Sequence, residues 1–140
     1  MKLRLLTTAA TVAALSAMLS CADDPTTPDP VDELPTPGTL ELVLDTPHDD
    51  DRGLLLRLSG PDSIGAVVAG EGLVAHTRAG AAVTNVAVFG HVTDGVVLRF
   101  DVADTRRAAD YAVALLDATG PDAALRTGGG YSFEIEVAPE

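Results

Sequence analysis

The feature that most limits the fold is a period of two in the apolar residues, held over short runs and broken by Gly, Pro and Asp. The C-terminal run is the plainest: Tyr131, Phe133, Ile135 and Val137 alternate with Ser132, Glu134 and Glu136. Successive side chains of a strand point to opposite faces, so this run has one apolar and one polar face. Residues 39–44 repeat the pattern, with Leu40, Leu42 and Leu44 on one face. Residues 96–102 do so again, placing Val96, Leu98, Phe100 and Val102 inward and Arg99 and Asp101 outward. Residues 54–58 read as a further strand, stopped by Ser59-Gly60-Pro61-Asp62. Residues 64–69 and 73–77 are shorter candidates, and residues 83–89 read as a more buried strand. Thr93-Asp94-Gly95 carries the signature of a hairpin turn.

Residues 105–118 fit two patterns. Arg106-Arg107-Ala108-Ala109-Asp110 suits a helix, while Tyr111, Val113 and Leu115 would share one face of a strand. The expectation is a short helix or turn near 105–110, then a strand. About seven short strands separated by Gly, Pro and Asp turns predict an all-β fold, a small antiparallel β-sandwich, with a β-barrel as the alternative. Its core is aliphatic, since the chain has no Trp, two Tyr and three Phe. No internal repeat is visible.

The N-terminus is of a different kind. Lys2 and Arg4 precede an uncharged apolar stretch over residues 5–19, which Met18-Leu19-Ser20-Cys21 closes. This is the architecture of a secretory signal. The stretch is about 15 residues long, short of the roughly 20 that span a bilayer. Cys21 is the only cysteine. Its setting resembles the lipobox of bacterial lipoproteins, with Met18 and Leu19 standing where that pattern favours Leu and a small residue. The resemblance implies that Cys21 becomes the mature N-terminus and carries acyl chains such as palmitate. The protein would then be an extracytoplasmic lipoprotein of the bacterial cell envelope. Two acyl chains suffice for stable anchoring where one does not. The expected organisation is a signal peptide at 1–20, the lipidated Cys21 with a linker over 21–37, and a domain over 38–140. Pro25, Pro28, Pro30, Pro35 and Pro37 lie among Thr, Asp and Glu in the linker. At ~3.1 Å per residue in polyproline II, such a stalk reaches up to about 50 Å.

Charge excludes one class of partner. The chain has 21 acidic against 9 basic residues and a net charge of −12. Losing Lys2 and Arg4 with the signal takes this to −14. Nucleic acid and anionic headgroups repel such a chain, so no nucleic-acid partner is expected. The remaining cations are Arg52, Arg57, Arg78, Arg99, Arg106, Arg107 and Arg126.

Chemistry-bearing residues are sparse. Asp49, Asp50 and Asp51 follow His48, with Asp45 nearby. Such an oxygen-rich run is a candidate for Ca²⁺, which takes six to eight oxygens. It lacks the Gly and Glu spacing of an EF-hand, and a solvated turn is the competing reading. Asp117, Gly120, Pro121 and Asp122 mark a second acidic loop, which a sandwich could bring beside the first. His76 and His91 have no metal-binding spacing. Ser59, Ser63 and Ser132 lie outside any G-x-S-x-G motif. Gly128-Gly129-Gly130 lacks the Lys-Ser/Thr of a phosphate loop and reads as a flexible lead-in to the last strand.

The order of features over residues 54–137 resembles the layout of cohesin and carbohydrate-binding-module β-sandwiches. That resemblance implies a fold and carries no site residue. The expectation is a lipid-anchored, non-catalytic sandwich serving protein interaction or envelope structure, held on the membrane through Cys21. A small hydrolase using His76 or His91 is one alternative. A calcium- or ligand-binding module using Asp45 and Asp49 to Asp51 is the other.

Overall fold

The computed structural model describes residues 34–80 and 83–139. The signal segment, Cys21 and linker residues 22–33 lie outside the described residues. Eight strands form: β1 (Gly38–Asp45), β2 (Asp51–Ser59), β3 (Val67–Ala69), β4 (Val74–Ala79), β5 (Val83–Val92), β6 (Gly95–Val102), β7 (Ala112–Thr119) and β8 (Ser132–Val137). A 3₁₀ helix, Thr105–Asp110, precedes β7, so residues 105–118 divide as the sequence suggests.

The strands make two open four-stranded sheets, in the orders β3-β6-β1-β8 and β4-β5-β2-β7. Every pairing is antiparallel. Neither sheet closes on itself, and the fold is a β-sandwich, not a barrel. Leu40, Leu42, Leu44, Leu98 and Phe100 from one sheet and Leu54, Leu56, Leu58, Val86 and Val88 from the other are buried in the core between them. Each such side chain contributes roughly 1.5–3 kcal/mol by leaving water.

Of the seven connections, only β4 to β5 joins neighbours in one sheet; the other six cross between sheets. This corrects the hairpin expected at Thr93-Asp94-Gly95. The turn does reverse the chain tightly, with Gly95 at φ 117°. However, β5 and β6 enter different sheets. A hairpin would lay their apolar faces side by side in one sheet, whereas the crossing sets them against each other across the core.

The register shifts at three places, between β2 and β5 at Asp51/Gly53, between β1 and β6, and between β2 and β7, and the last two change which side chains face the core. On β6, Leu42 opposes Leu98 while Val43 opposes Val96, so Val97 is the extra residue. Val97 is buried and Val96 is only half-buried, reversing the expected inward role of Val96. On β7, Leu55 opposes Asp117 while Leu56 opposes Leu115, leaving Leu116 as the extra residue. Without this bulge Asp117 would point into the core. With it, Asp117 turns outward and Ala118 takes the buried position. A one-residue slip exchanges the two faces of a strand, and the bulge places that slip where the sequence needs it.

Thr36, expected to lie in the linker, is instead hydrogen-bonded to the domain. Thr36 N donates to Asp104 Oδ1 at 3.2 Å, and Thr36 O accepts from Thr105 N at 2.8 Å. Asp104 also caps the 3₁₀ helix through Arg106 N and takes the Arg106 guanidinium at 2.8 Å. The bond from Arg106, with Thr36 beside it, holds the Asp104 carboxyl well below the usual carboxylate range.

Candidate functional site

The acidic run at 45–51 is divided by the fold. Asp45 and Asp49 are exposed, Asp50 is half-buried, and Asp51 is fully buried at the start of β2. Both Asp51 oxygens are engaged by protein donors. Arg126 Nε lies 3.3 Å from Oδ1, while Tyr131 OH at 2.8 Å and Thr46 Oγ1 at 3.0 Å reach Oδ2. The Arg126 guanidinium also pairs with Asp50. Burial, and then the bond to Asp51, push the Tyr131 hydroxyl up to about 12. The loop after β7 does therefore meet the loop after β1, but through Arg126 and Tyr131, not through Asp117 or Asp122. Among the described residues no group of three or more His, Cys, Asp or Glu could hold a metal ion.

The two histidines of the hydrolase alternative lie on different strands, His76 on β4 and His91 on β5. A groove of about 310 Å³ gathers His91 with Glu71, Asp94 and Arg99. No described serine lines it, and none lines the groove holding His76.

That second groove is the larger, about 420 Å³, and it lies on the outer face of the β4-β5-β2-β7 sheet. Strand register builds it in rows. Arg78, Asn85 and Arg57 stand side by side on β4, β5 and β2. The next outward row is His76, Ala87 and Leu55, with Asp117 beyond it on β7. The last is Val74, Phe89 and Gly53. Leu55 and Ala87 make a low floor on the two central strands. His76 on one edge strand and the bulged Leu116 on the other make the walls.

The face is apolar and cationic at once. Val74 is 56% exposed, Phe89 49% and Leu116 38%. The His76 ring meets the Phe89 ring at 6.1 Å, edge on. Phe89 crosses the sheet over Gly53, where a Cβ would come 2.8 Å from Thr119 Oγ1 and 3.5 Å from Phe89 Cδ1. Of the seven arginines among the described residues, four are ion-paired elsewhere, Arg99 with Glu41, Arg106 with Asp104, Arg107 with Asp62 and Asp110, and Arg126 with Asp50 and Asp51, while Arg52, Arg57 and Arg78 are not. Among the described residues Arg57 donates to the Asn85 amide oxygen alone, at 3.3 Å. Among the described residues no carboxylate lies within ion-pair distance of Arg57 or Arg78.

Inspection of the sequence alone passed over this face. The usable signal was Leu55, an outward apolar residue inside the Leu54-Leu55-Leu56-Arg57-Leu58 strand, followed two positions later by an outward arginine. Comparison with protein-family models, with curated proteins and with solved structures returns no match for this chain.

Proposed function

We propose that the protein is a membrane-anchored extracytoplasmic lipoprotein whose β-sandwich is a non-catalytic module for binding another protein of the cell envelope. In this reading Cys21 is acylated and residues 22–37 form the linker to the domain. The observation that carries the binding role is the outer face of the β4-β5-β2-β7 sheet, where the exposed Leu116 lines a groove and the exposed Val74 and Phe89 form the register row beside it. Scattered apolar residues are ordinary on a surface, whereas a contiguous group rimmed by polar side chains marks an interaction site. The anchor reading is supported by the signal architecture and by the placement of the only cysteine.

The test is intact mass and membrane fractionation of the full chain expressed in a bacterium, beside Cys21→Ala. A gain of mass equal to acyl chains, together with membrane association, is expected in the wild type and lost in the variant. An unmodified wild-type chain in the soluble fraction would overturn the anchor.

A further inference from the structure

We infer that the groove on the β4-β5-β2-β7 sheet takes an extended, acidic and apolar peptide segment of a partner protein. Carboxylates of that segment would sit on Arg57 and Arg78, and its aliphatic side chains on Leu55, Ala87 and Leu116. This inference rests on the reading of the domain as a protein-binding module and names the chemistry of what it binds.

The charge argument comes first. Arg78 and Arg57 occupy one register row, separated by Asn85 on the strand between them. Neighbouring strands lie ~4.8 Å apart, so the two arginine backbones are about 10 Å apart. The chain carries 21 acidic residues against 9 basic ones, yet the four arginines with ion pairs are all elsewhere. Asn85 orients Arg57 from the side by accepting its Nε–H. Guanidinium groups presented in this way suit carboxylates, which they bind through paired N–H donors.

The shape argument fixes the form of the ligand. From the Arg78-Asn85-Arg57 row to the Val74-Phe89-Gly53 row is four residues along β2 and β5. At ~3.3 Å per residue that is about 13 Å, the length of roughly four residues of extended chain. The floor, Leu55 opposite Ala87, lies between the two edge strands, and the arginine row follows two residues along the strand direction. The exposed Phe89 and Val74 form the next register row, beyond the groove lining on the side away from the arginines. A chain laid along the groove meets cations first and apolar surface next.

The rest of the molecule limits the alternatives. A net charge of −12 opposes long polyanions such as nucleic acid and anionic bilayers, which would meet the acidic surface as well. A short segment feels mainly the local arginines, because screening acts over about 8 Å at physiological salt.

The probe is a set of fluorescein-labelled hexapeptides, alternating Asp-Leu, Lys-Leu or Asp-Ser, titrated by anisotropy against the purified full chain in mild detergent. Saturable binding of the Asp-Leu peptide is expected, about tenfold or more tighter than either control. Arg57→Gln with Arg78→Gln should weaken it at least tenfold, in keeping with the loss of two charge-assisted contacts. Leu116→Asp, at an exposed bulge, should do the same with an unchanged melting temperature. Equal binding of the Lys-Leu peptide, or an unaffected arginine double variant, would overturn the inference. So would self-association of the chain that the peptide cannot displace, which would give the face to a second copy. A photo-crosslinking residue at position 87 separates the two claims in cells. Protein crosslinks that persist in the arginine double variant would sink the acidic-ligand chemistry and leave the module standing. Absent crosslinks together with no peptide binding would sink both.

Discussion

Arg126 reaches back 75 residues to place its Nε 3.3 Å from Asp51 Oδ1, a carboxylate that is entirely buried. The bond joins the long connection before β8 to the start of β2. A buried carboxylate is tolerated only where donors replace the water it has lost. Arg126, Tyr131 and Thr46 do so here.

Removing one partner of this pair should therefore cost more than removing an ordinary surface ion pair. Arg126→Met leaves the buried Asp51 carboxyl without one of its donors, and unfolding in urea should show a loss of about 3 kcal/mol. Asp50→Asn, which touches the same arginine from a half-exposed position, should cost less than about 1 kcal/mol. Equal losses for the two variants would show that Asp51 draws no special support from Arg126.

Alkaline pH should weaken the same corner. The Tyr131 hydroxyl has its folded value raised from 10.0 to about 12. A raised value means that the folded chain holds this proton more tightly than the unfolded chain. Its contribution is complete below pH 10 and disappears as pH rises from 10 towards 12. Chemical denaturation across that interval should show stability falling, and Tyr131→Phe should flatten the fall. An identical slope in the variant would place the alkaline sensitivity elsewhere.

Tyr111 makes the opposite case. Its ring is buried against Phe100, with centroids 6.0 Å apart, but its buried hydroxyl has no hydrogen-bond partner among the described residues. Burial raises its ionisation above 10.0. Tyr111→Phe should be neutral or should stabilise by up to about 1 kcal/mol, since it removes an unsatisfied buried group and keeps the packing. Gly60 abuts the same ring, and a Cβ there would collide with Tyr111. Gly60→Ala should accordingly cost about 1–3 kcal/mol through overpacking. Thermal unfolding of the two variants should shift the midpoint in opposite directions.

Asp104 governs where the linker ends. Its depressed ionisation gives a contribution present above the ordinary carboxylate value of 3.8 and lost as pH falls below it. In Asp104→Ala, amide hydrogen exchange at Thr36 and Arg106 should quicken strongly while β2 and β5 stay protected. Unchanged protection at Thr36 would show that Thr105 alone holds the segment.

The groove arginines should be dispensable for folding. Arg57 and Arg78 are exposed and have no ion pair among the described residues. Arg57→Gln and Arg78→Gln should each change stability by less than about 0.5 kcal/mol. A larger loss would make them structural and remove them from any binding argument.

The strands with one wet face were legible from the residues alone. Leu40, Leu42 and Leu44, or Phe133 and Ile135 against Glu134 and Glu136, carry their own address, because a single strand's pleat decides which way they point. The bulges at Val97 and Leu116 were not legible. Each exists because a neighbouring strand imposes a register, and no local pattern encodes that register. The same reason hid the row of Arg78, Asn85 and Arg57, whose members come from three strands. Asp49, Asp50 and Asp51 are identical in type, and only position relative to Arg126 and Tyr131 makes one of them internal. The hairpin expected at Thr93-Asp94-Gly95 failed for a related reason. A turn signal specifies reversal, and the choice of sheet belongs to the apolar faces on either side of it.

The crossing connections bear on when this chain can fold. β1 is hydrogen-bonded on one side to β6 and on the other to β8. Among the described residues the first strand in chain order is thus completed by the last. Its partners lie so far along the sequence that loop closure must precede any reward, and topologies of this kind fold in milliseconds to seconds. The β4-β5-β2-β7 sheet is complete once Thr119 is available, but the β3-β6-β1-β8 sheet stays open on one side of β1 until Ser132–Val137 arrive.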